Sequence, residues 1–506
     1  MGHALTGHAL YGRFRRGLAA APDRAAFRVG DEELTYAQAD AMALRWAGAL
    51  AELAGGRPKA VGVLAEKSAT CYVGILAALC AGATVVPLSP DFPAVRTQRM
   101  AAAAGIDALI VDQRGDRLVD QLPKLPVLGA HRPMPRGALA APLPVEPGDA
   151  AYVLFTSGST GRPKGVPITH ANLAHYFGLV DGWYQATPAD TFSQTFDVTF
   201  DCAMFDLFTA WGAGATAVAI PAVAYRDLPA FLADQRITVW FSTPSAIGLV
   251  RRAGGLAAGG MPGLRLSLFA GEALKCADAA DWQAAAANSA VENLYGPTEL
   301  TITITRHRWS DASPGLGVNG MAPIGLPNAG HDHLLLDPSG EPAETEGELW
   351  ITGPQLTAGY LDPADDGGRY TRRGDRLWYA TGDRIRRVDN GELVYLGRSD
   401  SQVQVQGWRV ELAEIDHAVR GCAGVEDAVT VGVESADSTE LVVFYTGRPS
   451  STAEFAGQLR GALPTGLIPR HYRRLADMPL NANRKVDRLE LRERARKVLV
   501  EAGRVG

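Results

Sequence analysis

Apolar and polar positions along the chain fall into two textures. Residues 30 to 150 alternate alanine-rich helical stretches with short apolar runs. LTYAQADAMALRWAGALAEL carries helical periodicity after a short strand. AVGVLA, TVVPL and ALIVD read as strands separated by helices, which predicts a parallel α/β sheet. Residues 132–149, RPMPRGALAAPLPVEPGD, hold five prolines and little periodicity, so an extended connection is expected there. The α/β pattern resumes with ATAVAIP, ITVWFS and LRLSLFAG as strands. DWQAAAANSA, rich in alanine, reads as a solvated helix.

From about residue 333 the texture turns β-rich and glycine-punctuated: HLLLDPSGE, GELWITG and RIRRVDNGELVYLG. The DNGE in the last is a hairpin signal. After Arg398 comes a strand, a helix (LAEIDHAVRG), two strands (AVTVGVE and ELVVFYTG), a further helix and a tail. The expected fold is α/β: a large N-terminal lobe of parallel α/β sheets plus a β-rich subdomain, residues 1–398, and a small α+β C-terminal lobe, residues 399–506.

One stretch imitates a membrane span. CYVGILAALCAGATVVPLSP, residues 71–90, carries no charge. Gly82 and Pro87 interrupt it, and TVVPL reads as a strand, so a buried helix and strand are expected.

Composition narrows the function. Apolar residues make up 47% of 506, enough for a large core, and the net charge of −6 comes with no long basic run. Nucleic acid is therefore not an expected partner, nor is a membrane. The five cysteines, at 71, 80, 202, 276 and 422, do not pair at metal-ligand spacing and read as reduced thiols of a cytoplasmic protein. The opening MGHALTGHALYGRFRRG lacks the apolar core of a signal peptide.

Three motifs suggest chemistry. TSGSTGRPKG, Thr156 to Gly165, follows an apolar run and interleaves hydroxyls, glycines and a lysine, which suits a cover over a polyphosphate. The Gly-Lys-Ser/Thr ending of a kinase-type phosphate loop is missing, and a plain turn is the competing reading. NLYGPTEL, residues 293–300, is either a buried turn with a capping threonine or a nucleotide site. In the second case Tyr295 stacks on a base, Thr298 touches a phosphate and Glu299 holds Mg²⁺ through oxygen. In YATGDRIRR, Asp383 either caps local backbone or accepts from two ribose hydroxyls.

Taken in order, TSGSTGRPKG, NLYGPTE, GELWITGPQLTAGYL, YATGD and GRSDSQVQVQGWRVEL resemble the signatures of the adenylate-forming superfamily. The chain is most similar to the amino-acid adenylation domains of nonribosomal peptide synthesis, from LTYAQAD to VDRLEL. The resemblance implies that a carboxylate attacks the α-phosphorus of ATP, expelling pyrophosphate, and that a carrier protein's phosphopantetheine thiol then takes the acyl group. It implies a site residue by residue. Thr156, Ser157, Gly158, Ser159, Thr160 and Lys164 would hold the leaving phosphates. Gly271, Glu272, Ala273, Asn293 and Tyr295 would line the adenine, with Asp383 and Arg398 on the ribose. Glu299 would hold Mg²⁺ beside Thr298, and Lys485 would reach the substrate carboxylate and α-phosphate. Asp400 would be the hinge of the small lobe, with Gly407 near the pantetheine path. Gln404 and Gln406 replace a common lysine and arginine, and NRK stands where NGK is usual, which leaves the small lobe's docking open.

FDVTFDCAMFDLF carries two FD pairs. Alignment on the downstream FDLF puts Asp201 where amino-acid-activating members bind the substrate α-ammonium; Asp197 is the rival, and capping of the following helix is the competing role. The implied pocket is Cys202, Phe205, Phe241, Leu268, Ala270, Leu294, Ile302 and Thr303. It contains no second charge and two bulky rings, which favours a small or compact apolar amino acid such as proline, alanine, glycine, serine or a nonproteinogenic relative.

No Leu-Gly-Gly-x-Ser attachment sequence occurs, so the carrier protein is expected to act in trans, unless the chain is excised from a larger synthetase. The alternative is an amide- or ester-forming ligase whose acceptor is an amine or alcohol. A nonenzymatic nucleotide-binding relative is disfavoured by the presence of Lys485, Glu299 and Asp383.

Overall fold

The computed structural model describes residues 10–135, 137–157, 162–398, 402–405, 407–435, 439–479 and 486–502. Contacts group the chain into two compact units. One comprises Met1–Pro90, Ala101–Phe155 and Gly165–Ser399; the other comprises Asp91–Met100, Thr156–Lys164 and Asp400–Gly506.

In the first unit, Ala60–Leu64, Thr84–Leu88 and Ala108–Val111 pair in parallel within a sheet of six strands. The uncharged stretch forms the helix Ala69–Cys80, capped by the Ser68 side chain on Cys71 N, followed by the strand Thr84–Leu88. Every residue from Cys71 to Cys80 is buried. An apolar helix enclosed by core needs no polar face, which is why its sequence imitates a membrane segment. Among the described residues no helix is long and apolar enough to cross a membrane.

The larger sheet contains a run of parallel strands, Thr191–Gln194, Thr216–Ala219, Val239–Ser242, Leu266–Phe269 and Ala290–Tyr295. Antiparallel strands extend it from Thr305–Arg308 onward, earlier in the chain than the change of texture at 333. The parallel strands end at the loops that carry the candidate chemistry, where α/β sheets generally place ligands. The DNGE hairpin is present: Gly391 has φ +87° and Gly391 N donates to Val388 O at 2.8 Å. It joins Arg376–Arg387 to Leu393–Arg398 and sets Asp383 directly opposite Arg398.

One expectation fails here. The alanine-rich segment is not solvated, because the helix Cys276–Ala285 buries Ala279, Trp282 and Ala285. Trp282 stacks on Trp240 at 5.8 Å and meets Phe269 edge-on at 5.2 Å. One large ring anchors the helix, and alanines let it approach the sheet closely.

The second unit carries the hairpin Gln402–Val405 and Trp408–Glu411, the helix Leu412–Arg420, and the antiparallel pair Val425–Glu434 and Thr439–Gly447. His471–Arg474 adds in parallel. Its sheet is packed on both faces: Ile415, Val443 and Phe455 lie in one apolar cluster, Val431, Val442 and Leu491 in the other.

Candidate active site

The site is built where the strand Ala290–Tyr295 runs out into Gly296-Pro297 and the short turn Thr298–Leu300. Gly296 is required by space, since a Cβ there would lie 2.7 Å from Thr303 Cα and 2.8 Å from Ile304 N. Tyr295 Oη donates to Asp383 Oδ2 at 2.5 Å, and Arg398 Nη1 donates to Asp383 Oδ1 at 2.6 Å. Arg398 Nη2 donates to Thr381 O at 3.1 Å. Burial first, then the Asp383 charge, push the Tyr295 phenol well above its ordinary value, so it stays a donor. Tyr295, expected at the base, and Asp383 and Arg398, expected at the ribose, therefore form one network.

The adenine candidates separate by task. Gly271, at φ +87°, follows the strand Leu266–Phe269 and is exposed with Ala273. Glu272 Oε2 accepts from Ser245 N at 2.9 Å, at the start of the helix Ser245–Arg252. Asn293 Nδ2 donates to Pro323 O at 2.8 Å. Glu272 and Asn293 thus tie neighbouring segments together, while Gly271 and Ala273 lie at the surface.

Glu299 is buried and its Oε1 accepts from Tyr360 Oη at 2.7 Å. Thr357 N donates to Glu299 O at 3.0 Å. Thr298 is half-buried beside it. Carboxylate and hydroxyl oxygens are the donors a hard cation such as Mg²⁺ takes, so the pair fits that ion.

Asp201 is the first residue of the helix Asp201–Ala213, whose N-cap position is Phe200, so capping is not its role. It is 7% exposed, and its Oδ2 is buried without a hydrogen-bond partner among the described residues. Burial pushes its carboxyl up to about 7, and the Glu299 charge adds to this; Thr298 and the amides of Cys202 and Ile302 pull it down. The rival Asp197 is committed locally, its Oδ1 accepting from Thr199 N at 2.9 Å and Thr199 Oγ1 at 2.5 Å.

Seven pocket candidates, Cys202, Phe205, Phe241, Leu268, Ala270, Leu294 and Ile302, fall in one buried apolar cluster. Thr303 Oγ1 and Tyr176 Oη are 2.9 Å apart. Phe205 and Phe241 meet edge to face at 5.0 Å, and Phe196 closes on Phe241 at 4.8 Å. Behind them Lys67 Nζ donates to Gln194 O at 3.2 Å and Thr195 O at 2.6 Å. Burial pushes that ammonium down to about 8, opposed by Asp197 and Asp206.

In the second unit Ser157 Oγ accepts from Glu411 N at 3.0 Å; Thr156 and Lys164 are half-buried. Gly158, Ser159, Thr160, Asp400, Gln406 and Lys485 lie outside the described residues.

Residues 14–361 match the family described as AMP-binding enzyme. The chain belongs to that family. Within it, the chain falls among the amino-acid-adenylating ligases. An L-proline–[L-prolyl-carrier protein] ligase of Streptomyces coelicolor is 32% identical over 493 residues, covering 91% of this chain and 92% of that protein. The crystal structure of IdnL7 is 54% identical, with a TM-score of 0.75, covering 96% of this chain and 99% of that one. The Vibrio cholerae adenylation domain AlmE, solved with glycyl-adenosine-5'-phosphate, is 26% identical with a TM-score of 0.83, covering 98% of each chain. Against longer relatives the chain is one segment, spanning 43%, 6% and 7% of three of them.

Sequence reasoning about this AMP-binding enzyme missed Tyr360, Phe196, Tyr176 and Gln355. Tyr360 and Gln355 sit inside GELWITGPQLTAGYL, so the motif was a signal although the separate roles were not readable from it.

Proposed function

We propose that this enzyme activates a small or compact apolar amino acid as aminoacyl-AMP with release of pyrophosphate. The aminoacyl group then passes to the phosphopantetheine thiol of a separate carrier protein in natural-product biosynthesis, in the cytoplasm. The observation that carries the reading is Asp201: a buried carboxyl whose Oδ2 has no hydrogen-bond partner among the described residues, first in the helix that also supplies Cys202 and Phe205 to the buried apolar cluster. Burying such a group is costly unless a cation arrives. A substrate α-ammonium supplies one, and the aromatic wall of Phe205, Phe241 and Phe196 limits the side chain that follows it. AlmE's glycyl adenylate and the proline ligase's carrier protein are consistent with a small substrate and a carrier acceptor.

Each residue then has a task. Asp383, held by Tyr295 and Arg398, accepts from the ribose, while Gly271 and Ala273 offer backbone to the adenine. Glu299 and Thr298 would hold Mg²⁺, which when bound offsets phosphate charge. Thr156, Ser157, Gly158, Ser159, Thr160 and Lys164 would embrace the departing pyrophosphate. Lys485 would offset the repulsion between the two anions as they meet, and rotation about Asp400 would admit the thiol. Positioning and charge stabilisation suffice for such a displacement, so no protein nucleophile is needed.

The test is ATP–pyrophosphate exchange across proteinogenic and common nonproteinogenic amino acids, followed by loading of holo carrier protein against free amines. Small apolar amino acids should give the strongest exchange. Asp201→Asn should lower kcat/KM for the best of them by about 100-fold. Exchange that survives the substitution, or is absent with every amino acid, would defeat the proposal.

A further inference from the structure

Thr301 and Ile302 have φ of +58° and +68°, a conformation that β-branched residues adopt only when their surroundings enforce it. The enforcing group is Gln355, which is fully buried. Its Nε2 lies 3.1 Å from Leu300 O, 3.2 Å from Thr301 O and 2.9 Å from Thr303 O, donating toward all three. Thr301 Oγ1 donates back to Gln355 O at 2.6 Å.

The glutamine is itself fixed. Asn328 Nδ2 donates to Gln355 Oε1 at 2.9 Å and to Thr303 O at 2.9 Å. Gln355 N donates to His331 Nε2 at 3.0 Å, which leaves His331 Nδ1 to donate to Asn328 O at 3.1 Å. Every polar atom of Gln355 is therefore engaged, and its side-chain nitrogen addresses only the backbone that carries Ile302 and Thr303. Ile302 in turn lies in the buried apolar cluster that holds Cys202, Phe205 and Phe241.

We infer that Gln355 is a positioning residue for the amino-acid pocket, holding Ile302 and Thr303 against the substrate by clamping the carbonyls of Leu300, Thr301 and Thr303. The inference rests on the pocket reading above. Gln355 touches no substrate atom; it acts through the backbone of the loop.

The experiment measures KM for the best amino acid, KM for ATP and the melting temperature of the full-length enzyme and its variants. Gln355→Met, close in size but unable to donate, should raise the amino-acid KM roughly tenfold and leave the ATP KM within about twofold. Gln355→Glu should raise it further, because an acceptor then faces three carbonyls. Adding Thr301→Gly to Gln355→Met should recover part of the loss, since glycine takes positive φ without strain. An amino-acid KM equal to wild type in a variant with a lowered melting temperature would overturn the positioning role. So would proportionate losses in both substrates with no recovery from the glycine. Wild-type enzyme that exchanges pyrophosphate with no amino acid would overturn the pocket reading and this inference with it.

Discussion

Asp383 and Asp201 are both buried aspartates of the candidate site, and they are finished to different degrees. Asp383 has its charge met inside the protein, with Arg398 on one oxygen and Tyr295 on the other. Among the described residues Asp201 has no ion-pair partner, and its Oδ2 has no hydrogen-bond partner. On the proposed reading the first arrangement is a preformed receptor for neutral hydroxyl groups, since the carboxylate keeps further lone pairs. On the same reading the second is half of an ion pair whose other half is the substrate ammonium. Polar groups left incomplete in a folded protein point to what they bind.

The same substitution should therefore have opposite effects on stability at the two positions. Asp383→Asn leaves the buried Arg398 guanidinium without its counter-charge. It should destabilise the protein by roughly 3 to 5 kcal/mol and raise the ATP KM, measured by denaturant unfolding and by exchange kinetics. A wild-type unfolding midpoint would break the contrast.

Asp201→Asn should stabilise the substrate-free enzyme, by less and only in part of the pH range. The folded carboxyl titrates near 7, above an unfolded value near 4. In wild type the penalty for ionising it is absent below about pH 4, grows as pH rises and is complete above about pH 7. The variant should thus melt several degrees above wild type at pH 8 and level with it at pH 4. A variant that melts lower at pH 8 would mean that the Asp201 charge already has a counterpart in the protein.

The finished receptor was the more legible in the sequence. Asp383 and Arg398 flank a hairpin turn, so local chemistry sets their register, and their motifs are quotable strings. The unfinished one was legible only as a candidate acid among two FD pairs; burial, helix position and an Oδ2 without a hydrogen-bond partner among the described residues separate Asp201 from Asp197. The supports were legible only as members of a quoted motif, without their partners. Tyr360 meets Glu299 across 61 residues of chain, and Gln355 meets Leu300 across 55. Such partners are brought together by sheet order, and spacing along the chain carries no trace of it. DWQAAAANSA failed for a related reason: its alanines look solvated until Trp282 is seen to fix the helix against Trp240.

The most direct measurement compares exchange supported by the preferred amino acid with exchange supported by the same acid lacking its amino group, in wild type and in Asp201→Asn. If the aspartate exists to meet an ammonium, wild type should favour the amino acid by about 100-fold or more, and the variant's preference should fall toward unity. An unchanged preference in the variant would show that the ammonium is recognised elsewhere.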